Sequence, residues 1–227
     1  MLEGIGPGMA VRPGGPRRAL AVGLAAALLG PASLHLLPDL GGPVAGEILL
    51  SNVSMWVLAA AVLWLVLRWE RRPLSSIGLE WPSGRLVLLA IGGGVGVTVA
   101  GLVITGALVS LSVIRQPPEG LAVLDELSAG HRVMLVITAA VTEEILYRGY
   151  PIERLGELTS LWLGAVVAGA VFLAVHFPFW GPAAVPMQAT ATVGLVGLYV
   201  WRRNLPAAMI AHATIDTLLL LVLPALI

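Results

Sequence analysis

The stretch LVLLAIGGGVGVTVAGLVITGALVSLSVI, residues 86–114, contains no charged side chain. A helix needs roughly 20 mostly apolar residues to cross the hydrocarbon of a bilayer, so this run predicts a transmembrane helix. Similar runs before and after it bring the predicted number of spans to about seven. The others are residues 19–37, 46–67, 132–150, 161–179, 183–201 and 205–226.

The composition of the whole chain supports the same interpretation. Of its 227 residues, 58% are hydrophobic and 11% are charged, and the mean hydropathy is +0.93. A soluble domain carries about 25% charged residues, so we predict an all-α, polytopic membrane protein. The net charge of zero gives no sign of a nucleic-acid partner. The absence of Cys excludes disulfides, thiolate zinc sites and a cysteine nucleophile.

The predicted spans divide the chain into four regions. We expect a basic flexible cytoplasmic tail, N-terminal transmembrane helices that serve as a scaffold, an interfacial linker, and a C-terminal core of four helices. Their bounds are residues 1–18, 19–114, 115–130 and 131–227. Arg17-Arg18 before an apolar run also resembles a secretory signal peptide, but the run is long for one, so we predict a retained first helix. His35 is expected at the membrane interface.

The arginines predict how the chain is oriented. When successive loops alternate between the two sides, starting from a cytoplasmic N-terminus, eleven arginines fall on one side and only Arg115 and Arg132 on the other. Cytoplasmic loops are enriched in basic residues, so this asymmetry favours a multi-pass cell-membrane protein with a cytoplasmic N-terminus. The eleven are Arg12, Arg17, Arg18, Arg68, Arg71, Arg72, Arg85, Arg148, Arg154, Arg202 and Arg203.

Six ionisable side chains lie inside predicted spans of the C-terminal core. An ionisable group at the centre of a lipid-facing helix costs roughly 2.5–3.5 kcal/mol. The six must therefore face one another or a water-filled cavity, which predicts a functional site. They are Glu143, Glu144 and Arg148 in the fourth span, His176 in the fifth, and His212 and Asp216 in the seventh.

Helical spacing predicts different roles for the two adjacent carboxylates. Glu144 and Arg148 are four residues apart in the order that favours an ion pair, whereas Glu143 is turned ~100° away on an α-helix. Arg148 is thus expected to neutralise and orient Glu144, which leaves Glu143 free to accept a proton. A carboxylate and an imidazole, here Glu143 and His176, can share one water as a general base for hydrolysis. A second histidine can donate to an oxyanion.

Glu143, His176 and His212 can lie at the same depth in the membrane only if the first hairpin of the core extends or bends. Counted from the turns that should follow the fourth and sixth spans, Glu143 and His176 lie deeper than His212. The hairpin of the fourth and fifth spans must therefore extend beyond the headgroups or bend at Pro151. The polar end of this hairpin, residues 153–157, is compatible with such an extension.

The same residues form three motifs in a recognisable order. Glu143-Glu144-Ile-Leu-Tyr-Arg148 matches EExxxR, Phe172-Leu-Ala-Val-His176 matches FxxxH, and His212-Ala-Thr-Ile-Asp216 matches HxxxN/D. In this order and spacing the chain resembles the CPBP (Abi) family, the CAAX prenyl-protease type and bacteriocin-processing membrane endopeptidases. The resemblance covers roughly residues 130–220, which makes residues 131–227 the expected protease core.

The resemblance implies an intramembrane endopeptidase, a hydrolase of peptide bonds, whose site opens toward the cytosol. It implies that Glu143 and His176 activate the water and that Glu144 and Arg148 support them. No cofactor is implied. The expected partners are the lipid bilayer and a peptide or protein substrate, such as a CAAX-like or other membrane-associated peptide with or without a lipid group. Nucleic acid is not an expected partner.

The last motif departs from the commoner family pattern. The resemblance implies that His212 and residue 216 stabilise the oxyanion, and many members carry Asn at the second position, whose amide donates a hydrogen bond. Asp216 can donate only when it is protonated. Either this carboxyl holds a proton, or Asp216 orients His212 instead.

Two alternatives stay open at this point. Glu143, His176 and His212 can be ligands of Zn²⁺ in a zinc-dependent intramembrane metalloprotease, although the HExxH signature is absent. The polar cluster can also hold together a non-catalytic membrane scaffold or immunity-type protein. Phe172 is expected to pack and not to take part in the chemistry.

Overall fold

The structure is a computed structural model that describes residues 17–34 and 44–226. The described part consists of helices and their connections, without a strand, which confirms the all-α fold. Most of the predicted tail, residues 1–18, lies outside the described residues, and so does His35.

The first half of the chain forms four α-helices within the described residues. These are α1 (Arg17–Leu34), α2 (Val44–Trp64), α3 (Gly84–Ser110) and α4 (Gly120–Asp125). A π-helical turn, Leu65–Trp69, extends α2, and a 3₁₀ turn, Leu74–Ile77, lies between α2 and α3.

The second half is built around one long helix with a π-helical middle. Its parts and the helices that follow are α5 (Ala129–Thr138), the π segment (Ala139–Gly149), α6 (Tyr150–Leu158), α7 (Leu161–Trp180), α8 (Val185–Arg202) and α9 (Leu205–Thr217). A 3₁₀ turn, Pro182–Ala184, precedes α8. After α9 the chain continues as a π turn, Leu218–Val222, and a 3₁₀ turn, Leu223–Ala225.

Five helices of the described part are long and apolar enough to cross a membrane, which confirms a multi-pass protein. They are Gly46–Trp69, Gly84–Ser110, Leu161–Trp180, Pro182–Arg202 and Leu205–Ala225. The predicted count of seven is not confirmed. The predicted first span forms a shorter apolar helix, Arg18–Ser33. The predicted fourth span is helical, but Glu143, Glu144 and Arg148 interrupt its apolar sequence.

Polar caps define two tight turns at the same end of the molecule. The Ser160 hydroxyl accepts a hydrogen bond from the backbone N–H of Leu163 at 3.2 Å, so α7 begins at the turn predicted near Thr159-Ser160. The Asn204 side chain accepts from the N–H of Ala207 at 2.9 Å and starts α9 in the same way. We call this end the arginine-rich end. Its loops and the adjoining helix ends carry Arg68, Arg71, Arg72, Arg85, Arg202 and Arg203.

The connection between α2 and α3, residues 70–80, folds against the C-terminal helices at the arginine-rich end. We call it the juxtamembrane segment. The N–H of Leu205 donates to the carbonyl oxygen of Gly78 at 2.7 Å. Gly78 has a φ of 74°, and a Cβ there would lie 2.7 Å from the carbonyl oxygen of Arg203. Glycine therefore allows both the backbone conformation and the close contact.

The surface and the interior have the composition expected in a bilayer. Leu88, Val103 and Val193 are 72%, 65% and 73% exposed, so large apolar side chains cover the outside. Inside, α3 approaches α9 closely, because a Cβ at Gly94 would lie 2.7 Å from the carbonyl oxygen of Ala211. Close approach at small residues is typical of helix packing in membranes.

Candidate active site

The six site residues that the sequence predicts lie on three neighbouring elements. The π segment carries Glu143, Glu144 and Arg148, α7 carries His176, and α9 carries His212 and Asp216. The structure brings all six into one cluster through the contacts described next.

Glu144 lies at the buried side of the cluster. Its Oε1 atom is 3.0 Å from Nη1 of Arg148, and neither side chain is exposed. The same oxygen is 2.8 Å from Nδ1 of His212. Because an ionised carboxylate only accepts hydrogen bonds, Nδ1 of His212 is the donor. This contact fixes the ring and turns its Nε2 atom toward Glu143.

Glu143 lies between the two imidazoles. Its Oε1 atom is 3.6 Å from Nε2 of His176, and its Oε2 atom is 3.9 Å from Nε2 of His212. Both separations exceed the range of a direct hydrogen bond. Glu143 thus faces two ring nitrogens, one from α7 and one from α9, without bonding tightly to either.

Asp216 contacts His212 from the same helix. Its Oδ2 atom is 3.4 Å from Nε2 of His212. Carboxylate oxygens therefore face both ring nitrogens of His212, Glu144 at Nδ1 and Asp216 at Nε2. Of the two readings of Asp216 that the sequence leaves open, this contact favours the one in which it orients His212.

Phe172 packs between Arg148 and His176. The guanidinium carbon of Arg148 lies 4.0 Å from the centre of the Phe172 ring, and the ring centres of Phe172 and His176 are 4.1 Å apart. The carbonyl oxygen of Phe172 is 2.8 Å from Nδ1 of His176. Since a carbonyl only accepts, Nδ1 carries the hydrogen and Nε2 is turned toward Glu143. Phe172 packs as expected, and it also sets the orientation of His176.

Residues 126–218 match the family described as type II CAAX prenyl endopeptidase, Rce1-like. This stretch belongs to that family. The match confirms the resemblance drawn from the three motifs, and all six clustered residues lie inside it. The family is one of CAAX-type intramembrane proteases, so its activity class is that of a hydrolase.

No curated protein and no solved structure matches the chain. We call residues 126–218 the endopeptidase domain.

Exposure changes across the site of the endopeptidase domain. The side chains of Glu144 and Arg148 are 0% exposed, whereas those of Glu143 and His176 are 15% and 18% exposed. Asp216 is 19% exposed. One side of the cluster is thus sealed in protein, and the other side is accessible.

An apolar cleft of about 330 Å³ adjoins His176. It runs between the end of α7 and the start of α8 and is lined by Leu173, Ala174, His176, Phe177, Trp180, Gly181, Val185 and Gln188. The imidazole of His176 belongs to both the cleft and the polar cluster. The accessible side of the site is therefore continuous with an apolar surface.

The π-helical geometry of residues 139–149 was not predicted. The hydrogen bonds of a π-helix run from i to i+5, and such segments occur frequently at functional sites. The wider turn changes the angle between neighbouring side chains from that of an α-helix. Glu143 and Glu144 still face different partners, Glu143 the two Nε2 atoms and Glu144 the guanidinium of Arg148.

The zinc alternative requires a set of ligands around one point. Among the described residues, no group of three or more His, Asp or Glu side chains is arranged to hold a metal ion. Glu143, His176 and His212 do lie close together, with Glu143 oxygens 3.6 Å and 3.9 Å from the Nε2 atoms of His176 and His212.

The sequence analysis missed a second buried polar cluster, at the arginine-rich end. Arg154 is 1% exposed, and its Nη2 atom is 2.7 Å from Oε2 of Glu70. Glu153, 8% exposed, accepts from the Tyr199 hydroxyl at 2.8 Å and pairs with Arg203. The sequence analysis treats residues 153–157 as a polar end that can extend beyond the headgroups, but Glu153 and Arg154 are buried, and Arg154 bonds to Glu70 and Ser76 of the juxtamembrane segment. The sequence shows only a run of charged residues at a helix end. Such a run does not show which other residues cover these side chains.

Proposed function

We propose that the endopeptidase domain hydrolyses a peptide bond of a membrane-associated peptide or protein, using a water activated by Glu143 and His176. The observation that carries this proposal is the position of Glu143, 3.6 Å and 3.9 Å from the Nε2 atoms of two histidines. Polar groups separated by more than 3.5 Å are commonly bridged by water. A bridging water at this point would contact both a carboxylate and an imidazole.

The proposed reaction assigns a task to each of these groups. Glu143 takes a proton from the water while Nε2 of His176 accepts a hydrogen bond from it, and the resulting hydroxide adds to the carbonyl carbon of the substrate. The C–N bond then breaks, and Glu143 returns the proton to the leaving amine. General acid–base catalysis by positioned side chains contributes typically about 10²–10⁴-fold.

We assign the stabilisation of the oxyanion to His212. Its two nitrogens face carboxylate oxygens, which can only accept hydrogen bonds, so both bonds form only when both nitrogens carry hydrogen. The contact with Asp216 is long, at 3.4 Å, so in the tetrahedral intermediate the Nε2–H would donate to the negative oxygen instead of to Asp216. Glu144, supported by Arg148, and Asp216 hold the ring in this orientation.

The substrate class follows from the family and from the cleft. The description of the family names a CAAX prenyl endopeptidase, which supports a peptide substrate at a membrane. The cleft beside His176 is lined mostly by apolar side chains, so we propose that it takes an apolar residue or an attached apolar group next to the cleaved bond.

A comparison of membrane proteomes tests the proposal. We expect cells with Glu143→Gln to accumulate an uncleaved precursor that cells with the wild-type protein process. Glu126→Gln is the matched control, because it makes the same change at an exposed position and should leave processing intact. If Glu143→Gln and His176→Ala both accumulate normally and neither alters processing or the cellular phenotype, the scaffold interpretation replaces this one.

Chelation separates the glutamate mechanism from the zinc alternative. We propose that no metal takes part, so cleavage by the purified protein should survive an excess of a strong chelator, and the protein should contain no stoichiometric zinc. Loss of cleavage with the chelator and its recovery on addition of Zn²⁺ would instead favour the metalloprotease.

A further inference from the structure

The three tyrosines of the chain are all buried, and they differ in what their hydroxyls contact. Tyr147, Tyr150 and Tyr199 are each at most 1% exposed. The Tyr150 hydroxyl donates to Glu70 at 2.7 Å, and the Tyr199 hydroxyl donates to Glu153 at 2.8 Å. The Tyr147 hydroxyl is as deeply buried, but it has no hydrogen-bond partner within the described residues.

Packing explains the ring of Tyr147 but not its hydroxyl. The ring meets Phe172 edge to face, with the ring centres 5.2 Å apart, and Phe172 in turn stacks on the imidazole of His176. A phenylalanine at position 147 would make the same ring contact. It would also avoid the free-energy cost of burying a hydroxyl without a partner. A buried polar group of this kind calls for a role beyond packing.

The position of Tyr147 in the π segment places it beside the proposed general base. Tyr147 follows Glu143 by four residues, as Arg148 follows Glu144, and this second pair is in contact at 3.0 Å. The same spacing in the same segment brings Tyr147 to the side of the helix that carries Glu143. The carboxylate of Glu143 and the guanidinium of Arg148 both lie within electrostatic range of the hydroxyl.

The chemistry of these two neighbours fits a hydroxyl between them. An ionised carboxylate only accepts hydrogen bonds, a guanidinium only donates them, and a phenol does both. Glu143 also has room for a further donor, because its oxygens are 3.6 Å and 3.9 Å from the imidazole nitrogens that face them. The Tyr147 hydroxyl can therefore accept from Arg148 and donate to Glu143 at the same time.

We propose that Tyr147 is a positioning residue of the reaction, whose hydroxyl donates a hydrogen bond to the carboxylate of Glu143 and holds it against the reacting water. This inference rests on the proposed function, in which Glu143 takes the proton from that water. Tyr147 acts through Glu143 and does not touch the substrate. It therefore contributes to the chemical step and not to substrate binding, since small displacements of a catalytic group slow the reaction.

The three tyrosines supply a matched set of variants, because Tyr→Phe removes one buried hydroxyl from each. The melting temperature is measured in detergent, and kcat and KM are measured in proteoliposomes with the substrate that the proteome comparison identifies. For Tyr147→Phe we expect kcat to fall about tenfold, as for the loss of one hydrogen bond to a charged group. KM and the melting temperature should not fall. Tyr150→Phe and Tyr199→Phe should lower the melting temperature and leave kcat unchanged.

A double variant checks that Tyr147 acts through Glu143. Residues that act as a unit are strongly non-additive, so adding Tyr147→Phe to Glu143→Gln should cause no further loss of cleavage. A further loss of about tenfold in the double variant would overturn the proposal.

Three other results would also overturn it. The first is wild-type kcat in Tyr147→Phe while Glu143→Gln is inactive, which leaves the proposed hydrolysis intact. The second is a fall in the melting temperature of Tyr147→Phe as large as that of Tyr150→Phe, which would make the hydroxyl structural. The third is a change in KM alone, which would make it a substrate contact. If Glu143→Gln itself cleaves at the wild-type rate, the proposed function fails and the role of Tyr147 fails with it.

Discussion

Two buried arginines on the same long helix show how differently the chain uses one residue type. Arg148 and Arg154 are 0% and 1% exposed. Arg154 donates to Glu70 at 2.8 Å, and to the carbonyl and hydroxyl oxygens of Ser76 at 3.2 Å and 3.0 Å. Arg148 contacts Glu144 at 3.0 Å, but within the described residues its guanidinium nitrogens lack well-aligned hydrogen bonds.

We infer from this difference that the cluster of Arg154 stabilises the fold and that the cluster of Glu143 is arranged for chemistry. Buried polar networks with every group bonded are rigid, and those left partly bonded are costly. The cluster of Arg154 joins the juxtamembrane segment to α6 by direct bonds. The cluster of Glu143 contains separations of 3.4 Å to 3.9 Å and side chains that are partly exposed. We infer that the second cluster leaves room for a substrate and a water.

The largest effect is expected from removing Arg154. Arg154→Ala leaves the carboxylate of Glu70 buried without its cation, and breaking a buried pair in this way typically costs about 3–5 kcal/mol. We expect a clear drop in the melting temperature of the protein in detergent. An unchanged melting temperature would show that this cluster does not hold the juxtamembrane segment in place.

The Arg→Lys substitutions sharpen the comparison of the two arginines. Lysine keeps the charge but not the planar fork that bonds several acceptors at once. Arg154→Lys loses bonds to both Glu70 and Ser76, so it should lower the melting temperature more than Arg148→Lys. Arg148→Lys should mainly reduce cleavage, since it loses the stacking of the guanidinium on Phe172. The reverse order of the two melting temperatures would contradict this assignment.

A smaller effect is expected at Asp216. Asp216→Asn removes a charge beside His212 but keeps an oxygen that can accept its hydrogen bond. We expect cleavage to fall less than with Asp216→Ala, which should lose about tenfold, the roughly 1.5 kcal/mol typical of a hydrogen bond to a charged group. If Asp216→Asn is as inactive as Glu143→Gln, the carboxylate does more than orient His212. Asp216→Ala, which keeps no acceptor, is the comparison that shows the contribution of the bond.

The site was predictable from sequence because its residues violate the pattern around them. Glu143, His176 and His212 lie within apolar runs. Because an ionisable side chain that faces lipid costs free energy, the sequence alone predicts that these residues face one another. Their order also forms the motifs that identify the family. The spacing rules of an α-helix gave the right partners for Glu144 and Arg148, even though the segment is a π-helix.

Other features were not accessible from sequence for physical reasons. The charges of residues 153–157 are compatible with an exposed helix end, and only the position of the juxtamembrane segment shows that Arg154 is buried. The count of seven spans was not confirmed, since hydropathy counts apolar runs and does not reveal how charged residues are shielded by neighbouring helices.

Double substitution at Glu143 and His176 tests most directly whether the clustered side chains act on one water molecule. The rate constant kcat/KM would be measured for the wild-type protein, Glu143→Gln, His176→Ala and the double variant, in proteoliposomes with the substrate that the proteome comparison identifies. Residues that act as a unit are strongly non-additive. The account predicts that the double variant is no slower than the slower single variant. Losses that multiply would show that Glu143 and His176 act independently, and would contradict it.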